Sequence, residues 1–258
     1  MGNFFHLVLY EPLMNALLFL VKIIPGHDLG VAIIIFTIII RFILYLPSLS
    51  SIKQQRQMQE IQPKLNALKA KYKDNREEYS RQLMKFYKEN KVNPFSSCLP
   101  MLIQLPILYI LFRVFLNVKT DPVTGFLVSS EIPNLYGVMQ DWFSSHQIKT
   151  MFLGLVDLNA TGNWILAILA GAAQYFQSKM LMTKQPPKNI PGAKDESMAA
   201  ATSRTMTYFL PIMIIFFSLK FPAGLALYWF ITTLFAVAQQ YLYFKKHSVK
   251  PEIHDLKP

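Results

Sequence analysis

The sequence predicts an all-α, polytopic membrane protein with five transmembrane helices and a cytoplasmic helical hairpin. Three observations carry this. The chain has 258 residues and is 52% hydrophobic, with a mean hydropathy of +0.27. Its apolar residues fall in several uninterrupted runs, which a polytopic membrane protein carries and a soluble domain of this size does not. Its Lys and Arg residues alternate sharply between successive loops, as they do when the loops lie on opposite sides of a bilayer.

Residues 1–28 read as an outer-face amphipathic helix. Segment 4–24 is apolar, but His6, Glu11, Asn15 and Lys22 interrupt it and Pro12 breaks it. Leu13, Ala16, Leu17, Leu20, Val21 and Ile24 recur at helical spacing on one side, the pattern of a helix lying in the interface. A sixth span is the other reading. The first span runs over 29–47. Residues 48–95 form the cytoplasmic hairpin. Ile52, Met58, Ile61, Leu65 and Leu68 recur at helical intervals among Lys, Gln and Arg. Lys73-Asp74-Asn75 reads as a turn. A second helix from Arg76 to Lys91 carries Tyr79, Leu83, Phe86 and Tyr87 on one stripe, and Asn93-Pro94 ends it. Such a pair either rests on anionic lipid or presents a contact surface to a partner.

The second span covers 96–117, with Pro100 and Pro106 inside it. An extracytoplasmic loop, 118–161, contains Pro122, Pro133 and Trp142, and no structure is legible in it. The third span is 162–181 and a cytoplasmic loop, 182–204, follows. The fourth span, 205–220, is short against the roughly 20 residues a crossing helix needs. Phe221-Pro222 alone separates it from the fifth, 223–243, so these two should form a tight helical hairpin. Residues 244–258 are a cytoplasmic tail.

Charge assigns the sides. Residues 49–95 hold eleven Lys/Arg and five Asp/Glu. Loop 182–204 holds Lys184, Lys188, Lys194 and Arg204, and the tail holds Lys245, Lys246, Lys250 and Lys257. The 118–160 stretch holds only Lys119 and Lys149, against Asp121, Glu131, Asp141 and Asp157. The positive-inside rule puts the basic segments and the C-terminus in the cytoplasm and the N-terminus outside. This placement accounts for most of the net charge of +11 without nucleic acid, and no direct DNA binding is expected. The lone Cys98 has no disulfide partner and reads as a small packing residue. No cleavable secretory signal and no lipoprotein-type cysteine stand out at the N-terminus.

Arg41 is the most informative residue. It sits inside the run from Val31 to Pro47, where a guanidinium mid-helix costs about 2.5–3.5 kcal/mol on insertion scales. A polar recipient must exist: a partner, a water-filled cavity or a substrate. Thr37 lies one turn before it on the same face. Gln104 is in the second span, Gln174 and Gln177 in the third, and Thr232, Thr233, Gln239 and Gln240 in the fifth with Tyr228 and Trp229. Each amide needs a partner or water in hydrocarbon. Interhelical hydrogen bonding satisfies them singly. Together with an unneutralised Arg they favour a shared hydrated cavity. Arg41 is six residues before Pro47, hence roughly 9 Å from the cytoplasmic helix end. Such a cavity opens to the cytoplasm and stops partway, and is no through-pore.

No catalytic triad spacing, metal-type His/Cys cluster, phosphate-cradling Gly loop or dinucleotide fingerprint is visible. The reading is therefore not an enzyme, with no cofactor and no metal. The spans carry no carboxylate, which argues against a proton-coupled transporter. Two competing readings are a small-solute channel or transporter, and an assembly scaffold that binds other membrane proteins without inserting them.

Three stretches resemble the YidC family of membrane protein insertases. They are Ile33-Ile-Ile-Phe-Thr37-Ile-Ile-Ile-Arg41; Lys91-Val-Asn-Pro-Phe-Ser-Ser-Cys98-Leu-Pro100-Met-Leu-Ile-Gln104-Leu-Pro106-Ile; and Phe221-Pro-Ala-Gly224-Leu-Ala-Leu-Tyr228-Trp229, with Gln239-Gln240 beyond. The basic hairpin between the first two fits as well. The resemblance implies a five-helix core in the bacterial cytoplasmic membrane. It implies a cytoplasm-open hydrophilic groove in which Arg41 attracts the polar end of a nascent membrane protein. Thr37, Gln104 and Trp229 fall at or near groove positions, and Gln174 and Gln177 lie on the matching third span. Leu108 and Phe217 are candidates for a lipid-facing slide on the second and fourth spans. Residues 49–93 resemble a mobile region that engages ribosome or targeting factors, and a Sec-type translocon is left open as a further partner. The large outer domain of the two-membrane forms has no counterpart, so the chain resembles the short forms. Its brief basic tail leaves more of any ribosome docking to the hairpin.

Overall fold

The computed structural model of the chain describes residues 6–72, 75–90, 99–117, 119–120, 127–128, 135–181 and 198–246. The hairpin end at 91–95, the first residues of the expected second span (96–98), most of the expected cytoplasmic loop (182–197) and the tail from 247 lie outside the described residues.

A π-helical turn, His6–Tyr10, leads into α1, Glu11–Ile23. Pro12 sits in the first turn of α1, where a missing N–H costs no hydrogen bond, so it does not break the helix. His6–Ile23 is long and apolar enough to cross a membrane by length and composition. The buried face is Met14, Asn15, Leu17, Leu18 and Val21, while Ala16 is exposed. The stripe expected through Leu13, Ala16 and Leu20 is thus rotated. Asn15 explains the rotation: its side chain turns inward to accept from the backbone N–H of Tyr136 at 2.9 Å.

Helix α2, Leu29–Ile43, begins at Asp28, whose carboxylate accepts from the backbone N–H groups of Gly30 (2.8 Å) and Val31 (3.0 Å), an N-cap. It ends at Leu44, and α3, Tyr45–Lys71, departs at 67°. The first span was expected to continue to Pro47. Pro47 has no N–H for the carbonyl of Ile43 and its ring crowds that carbonyl, so the chain bends there. By length and composition Leu29–Ile43 and Tyr45–Met58 together match either a broken span or a re-entrant loop. Helix α4, Arg76–Glu89, is capped by Asn75, which accepts from Glu78 N at 3.0 Å. It packs against α3 as the expected helical hairpin.

Helix α5 covers Leu99–Asn117 with Pro106 inside. The following loop, where the sequence showed no structure, contains the short strands β1 (Lys119–Thr120) and β2 (Leu127–Val128), helix α6 (Gly137–Ser145), and the hairpin of β3 (Met151–Phe152) and β4 (Val156–Asp157). Leu29 N donates to Lys149 O at 3.0 Å. Ala223 N and Gly224 N donate to Ala160 O and Leu158 O, each at 2.9 Å, and Gly162 N donates to Leu219 O at 3.0 Å. The loop therefore ties the start of α2 to the turn between the last two helices.

Those are α8, Met198–Lys220, and α9, Ala223–Lys246; α7, Trp164–Leu181, precedes them. The fourth apolar segment is short as expected: its helix begins at Met198 and has 23 residues, but the apolar part is only Thr207–Lys220. The expected tight pairing of α8 with α9 is largely replaced. The two pack little on each other, and α7 packs against both. Gly171 permits this, because a Cβ there would collide with Ile215 and come within 3.3 Å of Pro211 O, a small-residue contact typical of membrane helices. The main core joins α1, α2, α5, α6 and α9 through residues such as Met14, Leu17, Leu29, Ile33, Leu111, Phe143 and Tyr228. Helix α9 is also long and apolar enough to cross by length and composition.

Candidate functional site: a polar network around Arg41

Arg41 lies in the last turn of α2, two residues before the helix ends at Ile43. The break at Leu44 thus leaves it nearer the helix end than six residues before Pro47 suggested. Its side chain is half-buried. Nη2 donates to Gln104 Oε1 at 3.1 Å, and Gln104 Nε2 reaches the hydroxyl oxygen of Tyr228 at 2.6 Å. Three helices, α2, α5 and α9, therefore meet in one chain of polar contacts. Among the described residues no carboxylate forms an ion pair with Arg41. Its charge is held by neutral dipoles and is not cancelled.

One turn further toward α3 a second set of contacts fixes the bend. Ser48 Oγ donates to Gln239 Oε1 at 2.8 Å, and Gln239 Nε2 donates to the carbonyl of Tyr45 at 3.2 Å. Arg56 then lies 5.7 Å over the ring of Phe244 while its Nε meets Glu60 at 3.1 Å. The first hairpin helix is thereby docked on the end of α9. Tyr79 and Tyr87, on α4, have their hydroxyl pKa values raised by burial, Tyr87 also by the neighbouring Tyr79.

The other expected groove residues are distributed differently. Thr37 is fully buried and donates to its own helix, to Ile33 O at 2.6 Å. Gln174 donates to Ser178 Oγ at 3.2 Å within α7, and Gln177 is half-buried on the same helix. Neither belongs to the Arg41–Gln104–Tyr228 chain. Trp229 lines a small pocket with Phe217, Ser218, Phe221, Leu225 and Ala226, on the α8 side of α9. The two slide candidates lie on α5 and α8. Leu108 is half-buried on α5 one turn before Phe112. Phe112 meets Phe221 edge-on at 5.0 Å, and Phe221 stacks on Phe217 at 5.7 Å. An aromatic seam thus runs from α5 to α8 with Trp229 at its end.

The 60Kd inner membrane protein family model matches residues 19–250. The chain belongs to that family. Curated relatives in this family bear the name membrane protein insertase YidC. One from Fusobacterium nucleatum is 32% identical over 92% of this chain and 98% of that protein. Another from Clostridium tetani is 34% identical over 88% of each. A third, from a Geobacter species, is 31% identical over 89% of this chain but only 35% of its own length. The chain thus spans about a third of that longer family member and nearly all of the compact ones. As a member of this family the chain is a bacterial membrane protein.

The residue missing from the expected site set is Tyr228. The sequence marked it only as one polar residue of the last apolar run. Its position three residues after Leu225 and four before Thr232 gave no sign of a partner 124 residues away. Ser48 and Tyr45 were likewise unmarked, because they enter the site only through the bend at Leu44.

Proposed function

We propose that the chain inserts nascent membrane proteins through a polar, cytoplasm-open recess centred on Arg41. Five spans, α2 with the start of α3, then α5, α7, α8 and α9, surround it, with the N-terminus outside and the hairpin and C-terminus in the cytoplasm. The observation that carries this is the uncancelled guanidinium of Arg41, held by Gln104 against Tyr228 at the junction of three helices. A carboxylate about 4 Å from such a charge gains about 4 kcal/mol at an effective dielectric of 20, against about 1 kcal/mol in water. That gain offsets part of the several kcal/mol that a client's polar end loses on leaving water. Thr37 and Gln174 are bonded within their own helices and Trp229 lies at the aromatic seam, so Arg41, Gln104 and Tyr228 form the centre of the proposed recess and Gln177 is left as an outlying candidate. The apolar part of the client leaves along Leu108 and Phe217, where the aromatic seam offers a non-polar surface. Burial of the client's helix in lipid drives release.

Helix α1 stays at the outer face in this reading. Asn15 and Lys22, about 10 Å apart along the helix, touch residues of the same outer loop, Tyr136 and Trp142. A crossing helix would meet that loop at one end only. Residues 49–93 engage ribosome or targeting factors, and a Sec-type translocon is a further partner to test.

The test is reconstitution in liposomes with a small client that has an acidic translocated end. Arg41→Ala should slow its insertion strongly, and a matched client with a neutral end should be affected less. Equal insertion by Arg41→Ala and the parent chain for both clients would sink the proposal.

A further inference from the structure

The β3–β4 hairpin has an apolar tip that the network around Arg41 does not use. Leu153 is 70% exposed and Leu155 is 81% exposed, with Met151 beside them at 41%. Lys149 and Asp157, both exposed, stand at the base. Surface turns ordinarily place Gly, Asn, Asp or Ser at such a tip. Leu153 is moreover held at a φ of +50°, followed by Gly154 at +71°. Asn or Gly adopts that left-handed conformation with less steric conflict than Leu. A leucine kept there and left uncovered points to a role for its side chain.

The direction of the hairpin identifies what covers it. Asp28 and Lys149 form a parallel bridge, so the strand sets out in the direction in which α2 leaves the same end. Phe152 then packs on Gly30 so closely that any side chain at position 30 would collide with its ring. The tip therefore lies alongside the first turn of α2, on the bilayer side of Lys149. Its backbone is largely satisfied from within: Leu155 N donates to Phe152 O at 3.0 Å and Leu158 N to Thr150 O at 3.1 Å, as a less polar setting demands. Helix α2 supplies the need. Its 15 residues reach about 22 Å, short of a hydrocarbon core of about 30 Å, and the start of α3, turned 67° away, adds little to that reach.

We propose that this hairpin is a lipid-binding finger. Leu153 and Leu155 enter the interfacial layer of the outer leaflet and extend the apolar surface of α2 at its outer end. The inference rests on the reading of α2 as a membrane span.

The experiment places a nitroxide label at single cysteines of the full chain in a Cys98→Ser background, reconstituted in phosphatidylcholine–phosphatidylglycerol vesicles. Leu155→Cys and, independently, Leu153→Cys report the finger. Ile39→Cys, exposed on α2, reports the span, and Gln147→Cys, exposed in the loop, reports water. The finger labels should relax faster with oxygen than with a water-soluble nickel complex, as Ile39→Cys does, while Gln147→Cys shows the reverse. Finger labels that respond mainly to nickel, with Ile39→Cys still oxygen-dominated, overturn the finger and leave the span intact. Finger labels shielded from both reagents mean a protein surface covers the tip, which also overturns it. A nickel response at Ile39→Cys removes the span reading and the finger with it.

Discussion

Replacing Tyr228 with Phe isolates the contact that orients Arg41. Tyr228 is 2% exposed, and Phe fills almost the same volume, so the packing of α9 should persist. What is lost is the hydroxyl that meets Gln104 Nε2 at 2.6 Å. One such bond contributes about 1 kcal/mol, and leaving a buried amide donor unpaired costs about 1–3 kcal/mol. Gln104 is only half-buried, so water recovers part of this and about 1 kcal/mol is the working figure. Gln104 then turns more freely and its 3.1 Å contact to Arg41 is populated less. If that energy enters the insertion barrier, the rate for an acidic-ended client falls about fivefold. The assay is a double-mutant cycle of Tyr228→Phe and Gln104→Leu with acidic-ended and neutral-ended clients in liposomes. Coupled residues give a double variant no slower than the worse single variant for the acidic client. Fully additive effects, or equal losses for both clients, refute the relay from Tyr228 to Arg41.

Four further outcomes follow from the geometry. Arg41→Lys should keep most of the insertion activity, because the guanidinium makes one contact to Gln104 and not a bidentate pair; a loss as large as that of Arg41→Ala shows that shape matters beyond charge. Gly171→Leu should weaken the packing of α7 on α8 by about 1–3 kcal/mol, since the new side chain meets Ile215 and Pro211, and a thermal shift in detergent measures it. Ser48→Ala combined with Gln239→Leu removes the contacts that dock α3 on α9, so protease should cut the hairpin faster while the spans stay protected. Burial raises the Tyr79 and Tyr87 pKa values, so the neutral hydroxyl is the form the folded hairpin favours. Its stabilisation is complete below the unfolded value of about 10 and is lost as pH rises through the folded value. Amide exchange in α3 and α4, corrected for its intrinsic pH dependence, should therefore stay constant from neutrality to about pH 10 and loosen above that.

Much of this was legible from the residues because membrane burial leaves strong periodic signals. Val31 to Arg41 announced a helix with a charge inside it, and Lys73-Asp74-Asn75 announced the turn before the second hairpin helix. Gln104 was marked as needing a partner, because an amide in an apolar run cannot be left alone. The chain could not say that the partner was Arg41 on one side and Tyr228 on the other, because helix rotation is fixed by packing across long separations. Pro47 was read as the end of a span, whereas its effect falls four residues earlier, on the carbonyl of Ile43. The loop 118–161 stayed opaque because strands of two residues have no period to detect. Thr37 shares a face with Arg41 by spacing, but its hydroxyl has a nearer acceptor in Ile33 O. Trp229 sits one residue from Tyr228, and that single step of about 100° turns it from the Arg41 side to the aromatic seam.

Cysteine at position 41 examines the wet recess most directly. Cys98 is the one native cysteine, so Arg41→Cys with Cys98→Ser gives a single reactive thiol in sealed, oriented vesicles. A membrane-impermeant maleimide should modify it from the cytoplasmic face and not from the opposite face. A thiol that stays unmodified from both sides, or reacts from the outer face alone, contradicts a charge held in water partway across the bilayer.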